Sequence, residues 1–157
     1  HKYIYSNLGY NLKVTEMQAA IGCAQFQKLD SFIEIRKKNA NFLLNHFKEF
    51  SDHIILPEIP EKAEPSWFGM PITVRNHIDR NKFIAFLEER KIATRLVFAG
   101  NILKQPGFRH IDHRVHKDLR GTDQIMENTF FIGVYPGLTR EMMQYVVESF
   151  NDFFSQI

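Results

Sequence analysis

The chain has 157 residues, 44% of them hydrophobic and 24% charged, with 20 Lys+Arg against 18 Asp+Glu for a net charge of +2. That length suits one ordinary domain or a small one with an appendage, and the composition excludes a disordered tail, a collagen-like repeat and a disulfide scaffold. The near balance of charge supports neither a nucleic-acid footprint nor a polybasic membrane patch. The apolar run Phe130–Val134 ends at Tyr135-Pro136, far short of the roughly 20 residues a spanning helix needs.

The chain opens on His1 rather than Met, with no signal-peptide pattern after it, so the expectation is a processed chain or a piece of something longer. Tyr3, Tyr5 and Tyr10 crowd the first 14 residues, and Gly9-Tyr10-Asn11 reads as a turn. Thr15-Glu16-Met17-Gln18 is a capping box, in which the Thr hydroxyl and the Gln amide satisfy each other's free backbone donors. Ala19 to Ala24 is then apolar on every side until Gln25. A helix apolar all round must be buried all round. The rest of this chain can cover one face, and another domain or subunit must cover the other.

The lone Cys23 has no internal partner for a bridge, which points to a reducing, cytoplasmic setting. Its apolar neighbours predict a buried thiol rather than a nucleophile. After a break at Asp30, Ser31 opens a second helix whose Phe32, Ile35, Phe42, Leu43, Phe47 and Phe50 recur at helical spacing.

His53–Pro57 predicts a short strand, and residues 58–65 a solvent loop. Trp67–Val74 is the best strand candidate, with Pro71 arguing for an edge or a bulge. Asp79 caps a helix with the stripe Phe83, Phe86 and Leu87, ending near Lys91, and Ile92–Phe98 reads as a strand. Ala99–Arg120 is a long connection, of the kind that is usually functional or mobile. Thr122 is expected to cap a short helix to Asn128, and Thr129–Val134 to form a strand. Thr139 caps a last helix with Met143, Val146, Phe150 and Phe153/Phe154 on one face. Two leading helices followed by alternating strands and helices make a small α/β sandwich with its helices on one side.

Chemistry is sparse. The basic stretch Lys104–Arg120 reads as a solvated loop, with an anion-binding loop as the alternative. His110, His113 and His116 lie near Pro106, Gly107 and Gly121, so a loop is favoured over a metal site, which wants three or four committed ligands. No nucleophile elbow, phosphate loop, zinc-protease or CxxC motif occurs. The turn Gly9–Lys13 ahead of a helix start is a weak anion-site signal beside the plainer reading of a helix-entry loop.

Read together, Leu8-Gly9-Tyr10-Asn11-Leu12-Lys13-Val14-Thr15-Glu16-Met17-Gln18-Ala19-Ala20 resembles a long, specific segment of the DegT/DnrJ/EryC1/StrS sugar aminotransferase family. Pro65–Thr73, Thr94–Asn101, Gln105-Pro106 and Phe131–Thr139 are similar to the C-terminal part of that family's CDP-4-dehydro-6-deoxyglucose 3-dehydratase branch, which serves lipopolysaccharide synthesis. The resemblance implies the C-terminal small domain of a fold type I PLP-dependent transferase, a mostly antiparallel sheet packed with helices. Residues 1–14 would end the linker from a large cofactor domain that is absent here, 15–50 would form the connecting helices, and 51–157 the small domain.

It further implies a homodimer with active sites at the subunit interface, so that the large domain and the second subunit cover the apolar helix. Asn11 would reach the phosphate of the partner subunit's cofactor. Phe68, Arg95 and Asn101 would approach a nucleotide-sugar substrate. Phe68 stands where many of the aminotransferases carry a polar residue, and Gly100-Asn101 replaces their common Pro-x-His. The catalytic residue, a His in place of the Schiff-base Lys in these dehydratases, would lie upstream of this chain. So would the cysteines of a 2Fe-2S cluster fed by a reductase partner. The isolated chain is accordingly expected to be inactive and to hold neither pyridoxal phosphate nor pyridoxamine phosphate (PLP or PMP). Two alternatives within the family are a sugar aminotransferase and a GDP-sugar 3-dehydratase; from another class comes a stand-alone interaction module.

Overall fold

Four antiparallel strands carry the fold, and their pleat decides which side becomes the core. A computed structural model describes residues 4–7, 9 and 13–157. Strands β1 (Ile54–Ile55), β2 (Gly69–Val74), β3 (Thr94–Leu96) and β4 (Thr129–Gly133) form one sheet in the order β1-β2-β4-β3. Ile72 lies opposite Phe130 and Met70 opposite Ile132. These four side chains and Val74 are fully or almost fully buried, as alternation on one face of an antiparallel sheet requires.

Three helices cover that face: α2 (Leu29–Phe47), α3 (Arg80–Glu89) and α5 (Arg140–Phe154). Helix α2 buries Ala40, Leu43 and Phe47; α3 buries Phe83 and Leu87; α5 buries Met143, Val147, Phe150 and Phe154. The phenylalanines interlock. Phe47 stacks on Phe150 at 4.2 Å between ring centroids, and Phe83 meets Phe130 edge-on at 5.6 Å, arrangements that satisfy the ring quadrupoles. Asn39, buried on α2, donates its amide to the Tyr135 carbonyl at 3.0 Å and so ties the helical layer to the chain leaving β4. The expected α/β sandwich with helices on one side is thus present.

Local chemistry explains the ends of the helices. Thr15 and Gln18 form the reciprocal capping box of α1 (Glu16–Phe26). Asp79 accepts from the amides of Asn81 and Lys82, and Thr139 from that of Met142. Pro71 sits beyond the reach of the two-residue β1, which pairs only with Thr73 and Val74, so at Pro71 β2 is locally an edge and the missing N–H is tolerated.

Some expectations need correction. The first two helices meet at Gln27–Lys28, not at Asp30; both residues keep right-handed helical backbone angles. Asp30 instead lies in the first turn of α2, where a carboxylate suits the positive end of the helix. Helix α4 spans Arg120–Asn128 and begins after Leu119, so Thr122 is inside it and caps nothing. Every residue of α1 is exposed, Cys23 included. The described residues cover neither face of that helix, because the helical layer begins only with α2, and the predicted buried thiol is an exposed one.

Candidate functional site

On the second face of the sheet Pro71 and Phe131 are half-buried and Arg95 is exposed, and the pleat turns two of the predicted site residues onto that face or its rim. Phe131 lies opposite Pro71 on β2 and opposite Arg95 on β3, so Pro71, Phe131 and Arg95 form one cross-strand row. The Phe131 ring leans diagonally toward Gly69. A Cβ placed on Gly69 would stand 2.4 Å from Phe131 Cδ2, so only glycine admits the ring there. Phe68 meets Phe131 edge-on at 5.7 Å, and Phe98 approaches it from the far side at 6.2 Å. Both outer rings are largely open to solvent, at 63% and 58%.

Anchors hold this surface in place. Arg36 of α2 donates from Nη1 to the carbonyls of Trp67 at 3.0 Å and Phe68 at 3.3 Å, fixing the entry to β2. Phe98 has a φ of 44°, in the left-handed region that a bulky side chain rarely occupies. Two short bonds enforce it: Phe98 N–H to the Leu96 carbonyl at 2.7 Å and Gly100 N–H to that of Val97 at 3.0 Å. Gly100, with φ 62°, packs against Met126, where a Cβ would fall 2.4 Å from Cγ. Backbone strain of this kind is kept where surrounding structure over-determines it, and functional surfaces are one such place.

Arg95 is exposed and, among the described residues, makes no ion pair within 4.0 Å. Its guanidinium offers planar, paired donors suited to a phosphate or carboxylate.

Asn101 behaves differently. It is 4% exposed, donates Nδ2–H to Asp123 Oδ1 at 2.7 Å and accepts from Leu103 N–H at 3.1 Å. Both ends of its amide are therefore engaged within the chain. Lys104 Nζ adds a contact to the same Asp123 oxygen at 2.9 Å. Asn101 and Lys104 together hold the Asp123 carboxyl below the ordinary carboxylate range, and Asp123 in turn raises Lys104. Asn101 supports the loop after β3 while Phe68 and Arg95 flank Phe131.

Asn11 lies outside the described residues. The segment just before it is tethered: Gln105 Oε1 accepts from Tyr5 N–H at 2.9 Å, and Gly107 N–H donates to the Tyr5 carbonyl at 2.6 Å. The Gln105 amide also donates to the Ala99 carbonyl at 2.8 Å, which connects that segment to the loop after β3.

His110, His113 and His116 are exposed on an irregular stretch of the connection, as the loop reading expects. Among the described residues no group of three or more His, Cys, Asp or Glu side chains is placed to hold a metal ion.

A groove of about 560 Å³ opens elsewhere, on the helical side, lined by Ile92, Tyr135, Leu138, Met142, Tyr145 and Val146 among others. None of the sequence-predicted residues lines it. Its Arg90 lies over the Phe86 ring at 3.8 Å and pairs with Asp152 at 3.1 Å, so that cation is already engaged. Polar Lys91, Glu141 and Tyr145 are among its lining residues, but the groove lies apart from the Phe68–Phe131–Arg95 surface and is the weaker candidate.

Sequence reasoning overlooked Phe131 and Phe98 as parts of the surface. Alternation along Thr129–Gly133 carries the signal for Phe131, because a residue between buried Phe130 and Ile132 must face the other way. No comparable pattern marks Phe98.

The profile of the DegT/DnrJ/EryC1/StrS aminotransferase family matches residues 1–151. The lipopolysaccharide biosynthesis protein RfbH of Salmonella typhimurium is 49% identical over 98% of this chain and 36% of its own length. The dTDP-4-dehydro-2,6-dideoxy-D-glucose 3-dehydratase of Saccharopolyspora spinosa is 39% identical over 98% of this chain and 33% of its own. Among solved structures, the E. coli GDP-4-keto-6-deoxy-D-mannose-3-dehydratase with bound hydrated PLP superposes with a TM-score of 0.79 at 29% identity, covering 90% of this chain and 36% of the other. The chain thus spans about a third of the length of the relatives it matches.

Proposed function

Because this chain belongs to the DegT/DnrJ/EryC1/StrS aminotransferase family, we propose that it is the C-terminal region of a pyridoxamine-phosphate-dependent nucleotide-sugar 3-dehydratase. The substrate proposed is CDP-4-keto-6-deoxyglucose, deoxygenated at C3 for 3,6-dideoxysugar synthesis. The observation that carries the reading is the second sheet face, where Phe68 and Arg95 flank Phe131. Similarity to proteins named as 3-dehydratases supports dehydration over amino transfer. The apolar ring of Phe68 supports it too, at a position where a polar side chain would suit an aminotransferase.

In this reading 51–157 is the small domain, 15–50 the connecting helices and 1–14 the end of a linker from a large cofactor domain. The described residues fit the edge of a cofactor and sugar site rather than its centre. Phe68 and Phe131 present ring edges and faces to a planar or sugar ligand, and Arg95 presents donors to a phosphate. When bound, the pyridoxamine group supplies the electron sink for loss of the C3 hydroxyl. This chain's residues would bind and orient the sugar, and Asn11 is the residue assigned to the cofactor phosphate of a second subunit. The sole cysteine, Cys23, cannot by itself hold a 2Fe-2S cluster, so that cluster, the upstream His and the contact to a reductase belong to the remainder of the protein. A cytoplasmic homodimer accommodates all of these.

The test uses the protein of the complete reading frame with pyridoxamine phosphate, a reductase and CDP-4-keto-6-deoxyglucose. Mass spectrometry is expected to find the 3-deoxy product, and R95A to raise KM more than it lowers kcat. An amino-sugar product formed with glutamate as donor would overturn the dehydratase reading in favour of an aminotransferase. Turnover of a GDP-sugar alone would overturn the CDP assignment. For the 157-residue chain by itself, no turnover and no retention of pyridoxamine phosphate through dialysis are expected. Tight retention would overturn its assignment as a positioning region, and would strengthen the reading of an independent module.

A further inference from the structure

At the end of the β1–β2 ladder, far in sequence from the histidine-rich loop, two other histidines converge. Ile54 pairs with Val74, and Arg75 N–H donates to the His53 carbonyl at 2.8 Å, so the residue before β1 and those after β2 share one end of the sheet. There His53 Nδ1 stands 3.3 Å from His77 Nε2, with the ring centroids 5.6 Å apart and the planes inclined by 58°. A 3.3 Å separation makes a long hydrogen bond in the right tautomers, since good N–H bonds fall at roughly 2.7–3.2 Å. It also matches a second geometry. Two imidazole nitrogens bound to one tetrahedral Zn²⁺ at about 2.0–2.1 Å lie roughly 3.3–3.4 Å apart.

The pair is also partly pre-set. The His53 ring stacks on Phe154 at 4.7 Å with an interplanar angle of 6°, which fixes the ring while leaving Nδ1 turned toward His77. His77 is exposed, so solvent can fill the remaining coordination positions. The neighbouring cation, Arg75, donates from Nε to the Ser51 carbonyl at 2.9 Å.

We propose that His53 and His77 form a two-point site for a divalent transition-metal ion of the imidazole-preferring class (Zn²⁺, Ni²⁺ or Cu²⁺), with water completing the shell. Imidazole suits these ions, and geometry rather than raw affinity selects among them. Two imidazoles fall short of the three or four committed ligands of a resident zinc centre, so the site proposed is an open, exchangeable one. A bound ion would clip the turn before β1 to the turn after β2.

The test titrates the purified chain with ZnCl2 by calorimetry at neutral pH, beside H53A, H77A and a triple variant H110A/H113A/H116A. Saturable binding of one ion is expected for the parent chain. Each of H53A and H77A should weaken it at least tenfold, and the triple variant should retain it. A melting profile of H77A without zinc matching that of the parent keeps the comparison free of a folding defect. With Cu²⁺, electron paramagnetic resonance should show two equivalent-type nitrogen couplings in the parent and one in H77A. Absence of saturable binding, binding that survives H77A, or binding lost only in the triple variant would each overturn the site.

Discussion

Asn101 donates its side-chain amide to Asp123 across 2.7 Å, and through that bond the loop leaving β3 is fastened to the first turn of α4. The same Asn oxygen accepts from Leu103 N–H and starts the 3-10 turn Ile102–Lys104. Lys104 then returns to Asp123. This closed set of contacts fixes the loop three residues after Phe98.

The Asn101 contact predicts a stability loss with little chemical ambiguity. Asn101→Ala leaves the Leu103 amide without its cap and removes a charge-assisted bond to Asp123, which should cost about 1–3 kcal/mol. Urea denaturation of the two chains checks it. A loss below a few tenths of a kcal/mol would mean that water replaces the amide and that the loop is not fastened there.

Asp123 also makes a prediction about acid. Its folded carboxyl is held below the ordinary value of 3.8 by Asn101 and then Lys104. The unfolded chain therefore takes up the proton first as pH falls. Stability from this group is full above the ordinary carboxylate range and is lost as pH drops through the lower, folded value. An NMR titration should place the Asp123 midpoint below that of an exposed, unpaired Asp. D123N should flatten this part of the acid limb in a plot of Tm against pH.

Gly69 and Phe131 should be energetically coupled. Gly69→Ala puts a methyl group 2.4 Å from Phe131 Cδ2 and 3.0 Å from the Ile132 carbonyl, so the ring must move or the strands must part. Overpacking of this order costs about 1–3 kcal/mol. Phe131→Ala removes the principal clash, so the double variant should be more stable than the sum of the single changes predicts. Strict additivity in denaturant midpoints would show that the ring does not lie over Gly69.

Lys91 ends α3 in the left-handed region at φ 65°, while Ile92 N–H bonds back to the Leu87 carbonyl at 2.9 Å. That is the position where helices prefer glycine. Lys91→Gly should stabilise by about 0.5–1 kcal/mol, the relief of the left-handed backbone exceeding the added freedom of the unfolded chain. A lowered Tm would contradict it.

What the residues alone reveal follows from how local each signal is. Capping at Thr15, Asp79 and Thr139 involves neighbours two or three residues apart, and all three helix starts are where those residues place them. The alternation in Gly69–Val74 and the stripes of α2 and α5 are equally local, so the layer of helices on one sheet face is legible. Nonlocal partners are not. Nothing in the sequence near Asn101 marks Asp123, 22 positions away, as the group that turns its amide inward. The convergence of Phe68, Phe131 and Arg95 depends on a strand order, β1-β2-β4-β3, that local patterns do not contain. The break near Asp30 misled because Asp is read as a helix stop, whereas in a first turn it stabilises a helix that has already begun.

Helix α1 supports a prediction about assembly. Met17, Ile21 and Phe26 are exposed large apolar side chains on a helix with no buried residue. Apolar surface of this kind seeks a partner, and the proposed homodimer supplies one. Sedimentation of the 157-residue chain at rising concentration should show self-association. Ile21→Glu is the discriminating variant: at a position already in water it should change folding stability by no more than about 0.5 kcal/mol, yet in an interface it would bury an unpaired charge. The expected result is an unchanged Tm with loss of the associated species. Association undiminished in I21E would place the contact elsewhere. A parent chain that stays monomeric at every concentration would mean that α1 needs the large domain, rather than a second copy of this region, to cover it.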